Sequence, residues 1–89
     1  MPAVFVFGQA GCPACEEYLP RFKQLASGSP FPVGVYDLAK DRKANDFATR
    51  MGVSATPTTV VMDRHGRLHK TVGAVTDSAI RALLKRVLG

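Results

Sequence analysis

Several classes of protein are excluded by what this sequence of 89 residues lacks. It contains no apolar run near the roughly 20 residues that a membrane-spanning helix needs, so we predict no membrane partner. Its start, MPAVFVFG, has no basic segment and only a short apolar run, which predicts a cytoplasmic protein without a signal peptide. Cysteine is scarce as well. Two cysteines are too few for the disulfide framework of a small secreted domain.

Acidic residues are also in short supply. Twelve Lys and Arg residues against seven Asp and Glu residues give a formal net charge of +5. The basic residues are scattered and have no aromatic cluster or nucleic-acid-binding motif among them, so we predict no nucleic-acid partner. The charge indicates a general attraction for anions. Hydrophobic residues make up 46% of the chain, which predicts one globular domain over residues 1–89.

The hydrophobic pattern predicts seven elements in the order βαβαββα. The continuous apolar run AVFVFG, residues 3–8, favours a strand that is buried on both faces. Apolar residues then recur at three- and four-residue spacing from Cys15 to residue 26, which predicts a helix directly after it. A strand is predicted over 33–38, followed by a helix from about residue 41 that ends before Gly52. Two further strands are predicted over 58–63 and 68–73. The last predicted element is a helix that is capped by Thr76 and carries an apolar stripe ending at Leu88.

The order of these elements predicts the arrangement of the strands. A helix between the first two strands favours parallel pairing, and the turn sequence DRHGR favours an antiparallel hairpin of the last two. The predicted fold class is therefore α/β, with a mixed four-stranded sheet and helices on both of its faces.

Both cysteines lie in the motif CPAC, where the first strand leads into the first helix. Cys12 stands at the predicted helix N-terminus, where unpaired N–H groups and the helix dipole favour an anion such as a thiolate. We therefore expect a lowered pKa for Cys12. Cys15 lies one turn further, on the apolar side, near enough to attack a disulfide formed at Cys12. This arrangement predicts a redox pair, with Cys12 as the nucleophile and Cys15 as the resolving thiol.

Two other uses of the cysteine pair are less well supported by the residues. A structural disulfide across CPAC would close a very short loop and add little stability, because the entropic gain grows with loop length. Zinc would need His65 and His69 as further ligands. Because about eight residues of strand at ~3.3 Å each carry His65 roughly 25 Å away, one ion cannot bridge the four side chains. We predict no metal site.

Four further features of the sequence accompany CPAC. They are the apolar strand before the motif, Pro20 five residues after the second cysteine, the stretch ATPTTVVM from Ala55, and the C-terminal VGAVTDSAIRALLKRVL. Together they cover nearly the whole chain and resemble the thioredoxin/glutaredoxin superfamily. The resemblance implies a minimal thioredoxin fold and a cis peptide bond before Pro57, which faces the cysteines.

The resemblance also implies a substrate-binding groove. An extended substrate peptide would pair with the backbone of Thr56, as an added strand does. Gly73 and Ala74 would form the third side of the groove. Pro57 and the two residues inside the motif, Pro13 and Ala14, complete the predicted substrate-binding set.

The chain departs from thioredoxins at three places. Gly11 stands where thioredoxins usually have tryptophan, and Val6 stands where they carry a buried aspartate that assists proton transfer. The chain also begins at the central strand, as glutaredoxins do, without the extra strand and helix of thioredoxins. By the resemblance, Asp77 and Gly73 match a glutathione-binding pattern of glutaredoxins, but Ala74 replaces the second glycine of that pattern.

We therefore predict a monomeric thiol–disulfide oxidoreductase that reduces protein disulfides and is restored by a recycling reductase or by glutathione. The only redox group that this requires is the Cys12–Cys15 disulfide, with no other cofactor. Three alternatives stay open: a glutathione-dependent oxidoreductase, an iron–sulfur or metal carrier, and a non-catalytic interaction module that uses the groove around Thr56 and Pro57.

Overall fold

A computed structural model describes residues 2–88 of the chain and confirms the predicted order of elements. The elements are β1 (Ala3–Gly8), α1 (Pro13–Ala26), β2 (Val33–Asp37), α2 (Arg42–Arg50), β3 (Thr58–Met62), β4 (Leu68–Val72) and α3 (Asp77–Leu88). The side chain of Leu88, the predicted end of the last apolar stripe, lies outside the described part. No helix within residues 2–88 is long and apolar enough to span a membrane.

The four strands form one mixed sheet in the order β2-β1-β3-β4. β1 pairs in parallel with β2 and antiparallel with β3, and β4 completes an antiparallel hairpin with β3. The predicted mixed sheet is thus confirmed. Because β1 lies inside the sheet, its C-terminal end, where the cysteine motif begins, is flanked by strands on both sides.

Alternating side chains of the strands build a core on each face of the sheet. On one face, Val4 and Val6 of β1 pack with the apolar sides of α1 and α3. On the other face, Phe7 packs against Ala48 of α2 and Val60 of β3. The alternation follows from the strand period of two, and it confirms the prediction that helices cover both faces.

Three strands end one residue earlier than predicted, and each end has a local cause. β2 ends at Asp37, whose carboxylate accepts the N–H of Ala39 at 2.9 Å and so starts a turn. β3 ends before Asp63, whose carboxylate accepts two N–H groups of the hairpin turn. β4 ends before Gly73, which has a φ of +98° that a strand does not allow.

Asp41, Gly52 and Thr76 hold ends of the second and third helices, and the sequence suggested this role for Gly52 and Thr76. The Asp41 carboxylate accepts the N–H of Lys43 at 2.9 Å and caps α2. Gly52, just past the end of α2, takes a φ of +76°. The Thr76 hydroxyl accepts the N–H of Ala79 at 3.2 Å, which confirms the predicted cap of α3.

One polar pair lies inside the core formed by α1, α3 and the sheet. The hydroxyls of Tyr18 on α1 and Thr59 on β3 are 2.7 Å apart, and both residues are fully buried. A buried hydroxyl that loses its hydrogen-bond partner destabilises the fold by its full desolvation penalty. This bond therefore helps to hold α1, which carries Cys15, on the sheet.

We expect Tyr18→Phe to lower the free energy of unfolding by about 1–3 kcal/mol, because it leaves the Thr59 hydroxyl unpaired. The double variant Tyr18→Phe/Thr59→Val should lose less than the sum of the two single variants. Urea unfolding measures both, with Tyr36→Phe as the control for removing a phenol hydroxyl on the opposite face. Strictly additive losses would contradict the coupling of the two hydroxyls.

Candidate active site

The loop between β1 and α1 brings Cys12 to the start of the helix. The Cys12 N–H donates to the Gln9 carbonyl at 3.2 Å, and Gly11 has a φ of +82° that suits glycine. The Asp37 carboxylate accepts the N–H of Ala10 at 3.2 Å, which ties the loop to the end of β2. Pro13 is the first helical residue, where its missing N–H leaves no bond unmade. Cys12 is therefore the N-cap of α1.

The two thiols are both free and differ in their surroundings. Cys12 is partly exposed, whereas Cys15 is only 1% exposed. The Cys15 N–H donates to Cys12 Sγ at 3.2 Å, so that the sulfur takes the place of the usual N-cap oxygen. The predicted division into an accessible and a sheltered thiol agrees with this geometry.

The segment before β3 forms the other side of the site. The Thr56–Pro57 peptide bond is cis. The Thr56 hydroxyl lies 3.8 Å from Cys12 Sγ and donates to it, and as a thiol Cys12 can donate to the Thr56 carbonyl at 3.9 Å. The Pro57 carbonyl accepts the N–H of Gly73 at 2.8 Å, which brings the end of β4 to the same edge.

The remaining residues of the predicted substrate-binding set line the outside of this edge. Pro13 and Ala14 are exposed on the first turn of α1, and Ala74 is exposed directly after Gly73. The structure thus brings Cys12, Cys15 and Thr56 into contact. It places Gly73 beside them through the Pro57 carbonyl.

Hydrogen bonds and burial separate the pKa values of the two thiols. A hydrogen bond from the Cys15 thiol lowers the pKa of Cys12 most, with further help from the Cys15 N–H, the Thr56 hydroxyl and the Ala14 N–H, and against the effect of burial. Burial raises the pKa of Cys15, and the hydrogen bond to Cys12 raises it further. Of the two thiols, Cys12 is therefore the one that loses its proton first as the pH rises.

One ionic cluster beside the site was missed by sequence reasoning. Arg21 Nη1 donates to the Val75 carbonyl at 2.7 Å and to the Asp77 carboxylate at 2.8 Å, while Nε pairs with Glu17 at 2.8 Å. The hydrogen bond from Arg21 lowers the pKa of Glu17. Only the four-residue spacing of Glu17 and Arg21 is a signal in the sequence. Arg21 thereby fastens the loop after Gly73 to α1.

The histidines and the Val6 position take no part in the cysteine site. His69 Nε2 pairs with the Asp63 carboxylate at 3.0 Å in the hairpin, and His65 lies in its turn. Within residues 2–88, no group of three or more His, Cys, Asp or Glu side chains is placed to hold a metal ion. Val6 is fully buried opposite Thr59, so an apolar side chain stands where the resembled family carries an acid.

Two clefts flank the cysteine motif. The first cleft, of about 410 Å³, runs between α1 and β2 and is lined by Glu16, Leu19, Lys23, Val35 and Asp37 among others. The second cleft, of about 280 Å³, lies between α2 and the segment before Pro57 and is lined by Gln9, Leu38, Asn45, Thr49, Ser54 and Thr56 among others. Sequence reasoning found neither, because each depends on how separate elements pack.

We expect Thr56→Val to raise the pKa of Cys12. Valine keeps the branched shape of threonine but donates no hydrogen bond to the sulfur, so the thiolate loses one stabilising donor. The titration of the thiolate, followed by its ultraviolet absorbance, should therefore move to higher pH. Thr71→Val on β4 is the matched control and should leave the titration unchanged. An unshifted titration of Thr56→Val would show that the Thr56 hydroxyl does not act on Cys12.

Comparisons with known proteins support the fold described above. A family model described as a thioredoxin-like domain matches residues 1–88. An uncharacterized thioredoxin-like protein from Clostridium perfringens is 22% identical, with a TM-score of 0.81 over 98% of this chain and 71% of its own. The thioredoxin of Fasciola hepatica is 23% identical, with a TM-score of 0.79 over 97% and 80%. No protein of curated function matches the sequence.

Proposed function

The chain belongs to the family of thioredoxin-like domains, and we propose that it reduces the disulfide bonds of protein substrates through Cys12 and Cys15. One observation carries the proposal. Cys12 Sγ is partly exposed at the start of α1 and accepts hydrogen bonds from the Cys15 N–H at 3.2 Å and the Thr56 hydroxyl at 3.8 Å, with a buried free thiol beside it. A stabilised, accessible thiolate next to a sheltered thiol is what disulfide exchange requires.

The reaction has two exchange steps. The Cys12 thiolate attacks one sulfur of the substrate disulfide, forms a mixed disulfide and releases the other sulfur as a thiolate, which takes up a proton. Cys15 then loses its proton and attacks Cys12 Sγ. The Cys12–Cys15 disulfide forms, and the second substrate sulfur leaves as a thiol. Two electrons pass to the substrate, and an external reductase or thiol must return them to the protein.

The difference between the two thiols sets the order of the steps. Cys15 is buried and has a raised pKa, so it is a poor first nucleophile. Once Cys12 is bonded to substrate, no Cys12 thiolate remains to oppose ionisation of Cys15. The resolving attack therefore follows the first one.

The substrate would lie along the segment that contains Thr56. Its backbone would pair with that of Thr56 as an added strand, which places the substrate sulfur over Cys12. Pro13, Ala14, Gly73 and Ala74 would border the groove. Arg21 holds the loop after Gly73 against α1 and would thereby keep Gly73 and Ala74 in position at the border of the groove.

The surroundings of Asp77 support protein disulfides over glutathione as substrate. By the resemblance, Asp77 occupies the position of an aspartate that binds glutathione in glutaredoxins. Here its carboxylate is engaged by Arg21 at 2.8 Å and is only half-exposed. A glutathione molecule would have to compete with an ion pair that also involves Glu17.

The reduction potential of the Cys12–Cys15 pair, measured by equilibration against glutathione redox buffers, tests the proposal. We expect a reduction potential of about −270 mV, the value typical of thioredoxin and of a reductant. A value between about −180 and −120 mV, as in the isomerase and oxidase branches, would contradict a reductive role. Coloured, iron-containing protein from an oxygen-free purification would instead favour the iron–sulfur carrier.

A further inference from the structure

The second cleft shares two of its lining residues with the surroundings of Cys12. Two of its lining residues contact Cys12: Thr56 donates its hydroxyl to Sγ at 3.8 Å, and the Gln9 carbonyl accepts the Cys12 N–H at 3.2 Å. A substrate group bonded to Cys12 would therefore lie near two residues that line this cleft. A peptide that paired with Thr56 would therefore lie next to this cleft, because Thr56 is one of its lining residues.

The chemistry of the second cleft is uncharged and polar. All of its lining residues are neutral, and most are polar, the apolar ones being Leu38, Ala48, Val53 and Ala55. The first cleft, in contrast, holds Glu16, Lys23 and Asp37. A charged side chain that entered the second cleft would lose water without gaining an opposite charge. An apolar side chain would instead cover polar groups without bonding to them.

Acceptors and donors remain on the walls of the second cleft. The Asn45 side-chain nitrogen donates to the Leu38 carbonyl, which leaves the amide oxygen as an acceptor. The Thr49 hydroxyl donates to the Asn45 carbonyl at 3.0 Å, so its oxygen can accept as well. Ser54 adds a hydroxyl that can do either. The volume of about 280 Å³ has room for one side chain and some ordered water, since a water takes roughly 30 Å³.

We propose that the second cleft is a specificity subsite that takes an uncharged hydrogen-bonding side chain, an amide or a hydroxyl, from the substrate residue next to the disulfide-bonded cysteine. The inference rests on the proposed function, because it places the substrate disulfide at Cys12. Beyond that function, the inference specifies which substrates the protein prefers. It also predicts a preference that runs against the net charge of +5, which on its own would favour acidic peptides.

A series of peptide disulfides tests the subsite. The peptides differ only in the residues that flank the cysteine, which are Gln, Glu, Lys or Leu, and the rate constant for their reduction by the fully reduced protein is measured in single turnover. The Gln peptide is expected to react about ten-fold faster than the others, since unpaired polar groups and desolvated charges weaken binding by about that factor. The measurement is repeated at high salt to remove long-range attraction.

Variants of the cleft link the preference to these residues. In Thr49→Val/Ser54→Ala the advantage of the Gln peptide should fall to about two-fold or less. The matched control, Thr71→Val/Ser27→Ala, makes the same two chemical changes outside the cleft and should keep the full advantage. Thermal unfolding of both variants checks that each is folded.

Three outcomes would overturn the subsite. The first is equal rates for all four peptides, and the second is a set of rates that follow Glu, Gln and Lys in order of charge. The third is an undiminished Gln advantage in Thr49→Val/Ser54→Ala. Each of these would leave the proposed function intact. If the protein reduces none of the peptides and no protein disulfide, the proposed function fails and the subsite fails with it.

Discussion

Cys12→Ser is expected to abolish disulfide reduction. The serine hydroxyl does not ionise near neutral pH, so the donors around position 12 have no anion to stabilise. Cys15 cannot replace it as the first nucleophile, because it is buried and has a raised pKa. We expect the rate of reduction of a protein disulfide, with dithiothreitol as the electron source, to fall at least about a thousand-fold, as for loss of other catalytic nucleophiles.

Folding of the Cys12→Ser variant should be nearly unaffected. Serine is a good N-cap, and its oxygen can accept the Cys15 N–H as the sulfur does. Thermal unfolding therefore separates loss of chemistry from loss of structure, and Ala82→Ser on the exposed side of α3 is the matched control. Undiminished reduction by Cys12→Ser would rule out the proposed nucleophile. An inactive parent protein whose partner binding survives in Cys12→Ser/Cys15→Ser would instead favour the interaction module.

The architecture was predictable from the sequence because it depends on local patterns. The apolar run of β1 and the three- and four-residue spacing in α1 each determine an element and the face that it buries. Ends of elements were predicted where one residue type decides them, as at Gly52 and Thr76. They were off by one where a side chain intervenes, as at Asp63, whose carboxylate organises the hairpin turn.

The candidate site was predictable only in part. CPAC at the junction of a strand and a helix indicates which thiol is exposed and which is sheltered, since the helix period decides it. The contact between Thr56 and Cys12 spans 44 residues, and the sequence suggested it only through a family resemblance. The bond from Arg21 to Asp77 spans 56 residues. It has no local pattern, because it depends on how α1 and α3 pack together.

Cys15→Ser is expected to trap substrate as a stable mixed disulfide with Cys12. The first exchange step needs only the Cys12 thiolate, whereas the second needs a thiol at position 15. Serine at this position can still donate a hydrogen bond to Cys12 Sγ, which is the largest cause of the lowered pKa of Cys12. Mass spectrometry after mixing with a protein disulfide should therefore show close to one substrate per protein, attached at Cys12 and released by dithiothreitol.

Cys15→Ala is the matched variant that separates the two roles of Cys15. It also lacks the resolving thiol, but alanine donates no side-chain hydrogen bond, so the pKa of Cys12 should rise relative to Cys15→Ser. Trapping follows the thiolate fraction, so its rate increases with pH through the pKa of Cys12 and the midpoint should lie at higher pH in Cys15→Ala. If both variants trap with the same midpoint, the Cys15 thiol does not tune Cys12. If Cys15→Ser turns over without accumulating a mixed disulfide, Cys15 is not the resolving thiol.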